Sequence, residues 1–232
     1  SLRAVDPEGL ALVAALRPGA PVHIHLAEQT AEVEEVLAHR GARPVEWLLD
    51  NAAVDGRWCM IHATQMLPDE TLRLARSGAV AGLCPITESS LGDGIFDGVR
   101  WQAAGGVWGV GSDSNIRISL SEELRTLEYS QRLRDRSRAA LSGESRSTGR
   151  VLIEEAARGG AAAAGRASGV IATGRLADLV ALDDHAVDLE GKRGDTVLDA
   201  FVFAADDRVV RDVWSAGRHV VTGGRHPAHE AI

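Results

Sequence analysis

The sequence predicts an α/β fold in which parallel strands alternate with helices, and three observations carry that prediction. Apolar runs of strand length recur along residues 1–145, each followed by a segment with helical spacing of its apolar positions. The strands are apolar almost without interruption, as expected for a parallel sheet covered on both faces. Proline opens several of the helical segments and glycine closes them, which is the asymmetry of helix ends.

The elements follow in order. Asp6, Pro7 and Glu8 combine an N-cap, a first-turn proline and a first-turn acid, and predict a helix over 7–16 that Arg17, Pro18 and Gly19 terminate. Residues 22–27 read as a strand. Helical spacing resumes over 30–39, with Val33, Val36 and Leu37 on one face and Glu32, Glu34 and Glu35 turned outward. A short helix is expected over 44–50. "RWCMIHAT" reads as the next strand, "PDETLRLARSG" as a helix, and "AVAGLCP" and "GGVWGVGSDS" as two further strands. A long helix over 121–138 alternates charge signs, which predicts a solvated, salt-bridged face. "TGRVLIEEAARGGAAAAGR" supplies one more helix. From Gly169 the texture changes to short β-like runs, "DLVALD", "AFVFA" and "VRDVWSAGRHVV", separated by turn residues. A boundary near residue 167 is therefore expected, dividing 1–167 from a β-rich module over 168–232.

Composition narrows the function classes. A net charge of −8 over 232 residues argues against nucleic acid or an anionic membrane surface as partner. No apolar run approaches the roughly 20 residues that span a bilayer, and no basic-then-apolar leader opens the chain. A cytoplasmic protein acting on a small molecule is the expectation. Cys59 and Cys84 sit inside apolar segments and read as buried free thiols. "SLRAVDPEGL" reads as the interior of a longer chain, and "HPAHEAI" as the start of a helix.

Functional residues in parallel α/β sheets gather at the carboxyl ends of strands. Here His25 with Glu28, then His62, then Asp113 each close an apolar run that has no other reason to end in an ionisable group. Taken singly, His62 could be a hydrogen-bonded core histidine, and Asp113 or Glu28 a helix cap. Together the set suits a hydrolytic metal site. Zinc takes neutral imidazole and carboxylate donors and lowers the pKa of a bound water to about 7. A nearby carboxylate then moves the proton to the leaving group, a role that suits Glu28. His185, His219, His226 and His229 fall late in the chain and read as surface residues. "GVGSDS" lacks the spacing of a phosphate loop, and Ser112 and Ser114 lack a nucleophile-elbow pattern.

With "HLAE", "IHAT" and "GVGSDS" on successive strands, the chain resembles the second half of an amidohydrolase-superfamily deaminase. "HIHLAEQTAEVEEVL", "RPVEWLLDN", "SGAVAGLCPITESSLGDGIF", "GVGSDSN" and "EELRTLEYSQRLRDR" are similar, more narrowly, to the formimidoylglutamate deiminase branch of histidine degradation. The resemblance implies strands five to eight of a (β/α)8 TIM-like barrel followed by part of a small β-sandwich. It implies that His25 and Asp113 ligate one zinc per subunit (iron being the alternative), that Glu28 shuttles the proton, and that His62 steadies the tetrahedral intermediate. Asp113 would also take a proton as hydroxide adds, and Arg3 in "SLRAV" would hold a substrate carboxylate. The reaction implied is hydrolysis of N-formimino-L-glutamate to N-formyl-L-glutamate and ammonia, by a homodimer.

In that frame His23 and His25 point to one side of their strand, into the barrel, with His25 roughly 7 Å nearer the mouth at about 3.3 Å per residue. His25 is then the ligand, and His23 a buried, hydrogen-bonded residue one layer down. The family also draws two zinc ligands from a His-x-His on the first barrel strand, and nothing upstream of His25 can supply them. Half a barrel leaves open strand edges, so a natural protein about twice this length is expected. Two other readings remain open: another superfamily aminohydrolase acting on a purine, pterin or triazine ring, or a non-catalytic half-barrel that pairs with a partner.

Overall fold

In the computed structural model, which describes residues 1–114 and 117–229, four parallel strands are hydrogen-bonded side by side in sequence order. They are β1 (Val22–Leu26), β2 (Trp58–His62), β3 (Val80–Leu83) and β4 (Val107–Val110). The register aligns Leu26 with His62 and Leu83 with Val110, so the strands finish along one common edge. Asn115 of the "GVGSDSN" motif and Glu230, Ala231 and Ile232 of the tail read as a starting helix lie outside the described residues.

Helices connect the strands. α1 (Pro7–Leu16) precedes β1, and α2 (Thr30–Arg40) and α3 (Pro44–Asn51) follow it. α4 (Pro68–Arg76) lies between β2 and β3, and α5 (Pro85–Leu91) and α6 (Gly98–Ala103) between β3 and β4. The predicted punctuation holds at three helices: the Asp6 carboxylate accepts the Gly9 N–H at 2.6 Å, and Pro7, Pro44 and Pro68 open their helices. Pro85, read from sequence as the end of a strand, opens a helix of its own. Gly41 closes α2 at φ 75°, a conformation that costs a residue with a Cβ. Val22, Ile24 and Leu26 of β1 join Val33, Val36, Val45 and Leu48 in the buried core. Leu26, Leu48 and Met60 have no exposed surface, and burying each contributes about 1.5–3 kcal/mol.

Beyond β4 come α7 (Leu120–Asp135) and α8 (Thr148–Ala163). α8 lies so close to β4 that a Cβ on Gly159 would sit 1.7 Å from the Trp108 carbonyl oxygen. β5 (Leu179–Leu182), β6 (Val210–Ser215) and β7 (Arg218–Val221) form a separate antiparallel sheet in that order. α9 (Asp195–Phe203) lies between β5 and β6 and docks on α7 and α8. Arg125 donates to the carbonyls of Val202 and Ala205 at 2.7 and 2.6 Å, and Gly149 N–H donates to Asp199 at 2.7 Å.

Several expectations are corrected. "AFVFA" ends α9 rather than forming a strand; a five-residue apolar run carries no period of its own, and here it continues the helix begun at Asp195. In α2, Val33 and Val36 are buried and Glu34 and Glu35 exposed as expected, but Glu32 is buried at 1% exposure and Leu37 is 45% exposed. The sign-alternating helix α7 likewise buries Glu123, Glu128 and Gln131. Glu128 turns inward because its carboxylate accepts the N–H groups of Ala140 and Leu141 at 2.8 and 2.9 Å, besides pairing with Arg132. His23 shares a face with His25, as its spacing requires, but that face is exposed; its ring is hydrogen-bonded to the Ala163 carbonyl at 2.8 Å.

Candidate active site at the strand ends

The carboxyl ends of the parallel strands are bent sharply. Among the described residues seven non-glycine positions have positive φ, and four of them, Ala27, His62, Ala63 and Asp113, lie just at or beyond β1, β2 and β4. Each such residue costs on the order of 1–3 kcal/mol unless its surroundings hold it. At β1 the holder is Glu32, whose two carboxylate oxygens accept the N–H groups of Ala27 at 3.2 Å and Glu28 at 2.8 Å. Thr64 from the β2 side donates to the Glu28 carbonyl, and Gln65 N–H to that of Ala27 at 2.8 Å. The backbone carrying Glu28 is thereby clamped between two strand ends.

His62 sits at the centre and is fully buried. Its Nδ1 is 3.3 Å from Glu88 Oε1, while its Nε2 is 3.5 Å from Glu28 Oε1 and 3.9 Å from Asp113 Oδ2. That Nε2 is buried and lacks a hydrogen-bond partner among the described residues. The His25 ring lies beside it, centroid to centroid 5.3 Å and tilted by 46°. Cys84 follows β3 directly, and ligand atoms of His62, Cys84 and Asp113 lie within 4.8 Å of one another.

Burial and crowded charge set the proton affinities. Burial raises the Glu28 pKa, the Asp93 and Glu32 carboxylates add to the rise, and His62 and His25 oppose it. For His62 burial acts downward, but the bond to Glu88 and the charges of Glu28, Glu88 and Asp113 prevail and hold its pKa above the ordinary value. Burial, reinforced by Glu88 and Asp113, pushes the Cys84 thiol far up. Glu123 is raised to about 7, chiefly by burial, although the Ile86 N–H bound to it acts the other way.

A metal ion suits this donor set. Zinc accepts carboxylate and imidazole donors: Asp113 offers a carboxylate oxygen beside His62, and the His25 ring lies 5.3 Å from that of His62 on the same rim. Glu88 behind His62 Nδ1 is the kind of outer partner that orients such a ring.

Of the residues singled out from sequence, Glu28, His25 and Asp113 gather around His62. Arg3 does not join them: its guanidinium pairs with Glu35 of α2 at 3.5 Å and lines a surface hollow with His39 and Arg40. Cys59 and Cys84 are both buried free thiols, as expected. Sequence reasoning passed over Cys84 and Glu88 as site residues. The signal available was a cysteine directly after an apolar strand with an acid four positions on, in "LCPITESS". It also passed over Asp93, 5% exposed, whose Oδ1 accepts from Gln29 at 2.9 Å while Oδ2 is buried with no hydrogen-bond partner among the described residues.

Comparison with known proteins adds to this geometry. The model of the amidohydrolase family matches residues 3–220. Formimidoylglutamate deiminase of Pseudomonas aeruginosa is 51% identical over 232 residues, covering 99% of this chain and 51% of that protein. The 8-oxoguanine deaminase of the same organism is 30% identical over 213 residues, 90% of this chain and 45% of that one. A crystal structure of an amidohydrolase from Brucella melitensis superposes with a TM-score of 0.92 at 49% identity, covering 98% of this chain and 50% of the other. An adenosine deaminase from Xanthomonas campestris with bound zinc gives a TM-score of 0.83 at 27% identity, covering 95% and 49%. The chain thus spans about half the length of the curated relatives it matches.

Proposed function

Because the chain belongs to the amidohydrolase family, we propose that it forms the carboxyl-terminal part of a metal-dependent deiminase that converts N-formimino-L-glutamate to N-formyl-L-glutamate and ammonia. The observation that carries the reading is the meeting of Glu28 and Asp113 at the unpartnered Nε2 of His62, in a chain half identical to a formimidoylglutamate deiminase. On this reading β1–β4 are strands five to eight of a (β/α)8 barrel, residues 168–232 belong to a small flanking sandwich, and the protein is a homodimer.

His25 and Asp113 are the zinc ligands this chain contributes, one zinc per subunit. When bound there, the ion would lower the pKa of a water to about 7, making a hydroxide nucleophile available at neutral pH. Glu28, whose proton affinity burial raises, delivers a proton to the departing nitrogen. Asp113 accepts the proton released as oxygen adds to the formimino carbon. His62 directs Nε2 toward the oxygen of the tetrahedral species. The balance is one water consumed, one C–N bond broken, one C=O formed and one ammonia released. Arg3 is assigned to a substrate carboxylate, for which it must exchange its exposed pairing with Glu35.

Ammonia release from N-formimino-L-glutamate by the whole zinc-loaded protein tests the reading, run beside a purine substrate because of the 8-oxoguanine deaminase relative. Preference for the formimino compound is expected. Faster turnover of the purine would assign the chain to another aminohydrolase branch. Less than about a tenth of an equivalent of bound zinc together with no ammonia would overturn the enzyme reading.

A further inference from the structure

Glu88 has no part in the reaction as described, yet it is 4% exposed and touches the most enclosed residue of the site. It lies one helical turn into α5, and its Oε1 reaches back to two donors. One is the Cys84 N–H at 2.9 Å, and the other is His62 Nδ1 at 3.3 Å. An ionised carboxylate can only accept, so the ring nitrogen facing it must carry the hydrogen. Nε2 of the same ring then meets Glu28 and Asp113 with whatever proton the reaction leaves there.

We propose that Glu88 is a positioning residue for this active site, holding a proton on His62 Nδ1 so that Nε2 alone faces the reacting atoms. The role rests on the deiminase reading for what Nε2 does, but the tautomer itself does not depend on the substrate. Anchoring of α5 accounts for one of the two bonds of Glu88, the Cys84 N–H at the N-cap, and leaves the imidazole contact unexplained. Pro85 has no N–H to satisfy, and the Ile86 N–H is already taken by Glu123 at 2.8 Å. What remains for the Glu88 carboxylate is one backbone N–H and the imidazole. His62 also has φ 70°, so its backbone lies outside the ordinary strand conformation, and a carboxylate bond on the far nitrogen stops the ring from turning Nε2 away.

Two variants separate orientation from mere packing. Glu88→Gln keeps an acceptor oxygen at the shared position, because the Cys84 N–H selects the amide oxygen over the nitrogen. Glu88→Leu fills similar volume and removes the acceptor. The readout is the pair of side-chain 15N shifts of His62 in the whole zinc-loaded protein, at a pH high enough to leave the ring neutral. His62→Gln identifies the signal, and kcat and KM for N-formimino-L-glutamate are measured alongside. Expected are the Nδ1–H tautomer in wild type and Glu88→Gln, and loss of it in Glu88→Leu. Glu88→Leu should lower kcat about tenfold or more with a much smaller change in KM, and Glu88→Gln should recover most of that loss.

A wild-type ring protonated on Nε2 instead of Nδ1 overturns the proposal outright, and this result needs no variant to fold. So does a Glu88→Leu protein with wild-type kcat, or a Glu88→Gln protein that keeps the tautomer but is as slow as Glu88→Leu. If wild type releases no ammonia from the formimino substrate, the deiminase reading fails while the tautomer measurement still decides the role of Glu88.

Discussion

His62 and His219 each face a carboxylate, Glu88 at 3.3 Å and Asp212 at 2.8 Å, and the second pair has the shorter contact. Their surroundings differ more than their geometry. His62 is fully enclosed at the end of a parallel strand, with three carboxylates nearby and an Nε2 that has no hydrogen-bond partner among the described residues. His219 lies on the antiparallel hairpin, 39% exposed, stacked on Trp214 at 4.5 Å and sharing Nε2 with Thr222. In the first setting each charge is felt because water is excluded; in the second, solvent screens the pair and completes its hydrogen bonds. The same contrast separates the two sheets. β1 to β4 bury much of their surface, whereas no residue of β5, β6 or β7 is fully buried. Contact distance alone therefore does not distinguish the two histidines; enclosure with an unsatisfied atom does.

The largest effects should come from the enclosed region. Asp113→Asn and Glu28→Gln are each expected to cut ammonia release by about 100-fold or more while thermal unfolding stays near wild type, since both side chains retain some exposure. A wild-type rate in either variant removes that residue from its assigned role. Gly159→Val should destabilise the protein by more than about 3 kcal/mol in denaturant titration, because no side chain fits against the Trp108 carbonyl. Retention of wild-type stability would mean that α8 can lift off β4.

Glu123 gives the contrast a pH dependence. Its folded pKa of about 7 lies above the ordinary 4.5, so the folded state holds the proton more tightly than the unfolded chain. Its contribution is complete below pH 4.5 and is lost as pH rises through about 7, with a total of about 3 kcal/mol. Glu123→Gln should flatten that fall in stability between pH 5 and 8; an unchanged slope would show that the buried acid is ionised throughout. The smallest effect belongs to the exposed pair: His219→Ala should change stability by no more than about 0.5 kcal/mol. A loss of several times that size would mean that burial does not separate the two histidines.

Much of this was legible in the order of residues. β1 to β4, the proline-led helices and the rim position of His25, Glu28, His62 and Asp113 follow from apolar runs that end in ionisable groups. What was not legible has a common cause. Glu32, Glu88, Glu123 and Glu128 look like ordinary solvated acids of helices, yet each accepts backbone N–H groups. Glu123 and Glu128 reach N–H groups from segments 37 and 13 residues away in the chain. Helical periodicity counts charges as outward and has no means of registering such a partner. "AFVFA" failed for a different reason, being too short to show whether its period is two or 3.6.

The sequence by itself determined the alternation of strands and helices, the capped helix ends and the edge of the sheet on which His25, Glu28, His62 and Asp113 gather. Those depend on periodicity and on local backbone preferences that each segment carries alone. Only the tertiary structure decided that Glu32 turns inward to hold the end of β1, that Arg3 pairs with Glu35, and that Glu88 rather than solvent meets Nδ1 of His62. A hydrogen-bond donor at the bent end of one strand finds its acceptor on a different segment, and that pairing exists only once the strand ends stand side by side with water excluded.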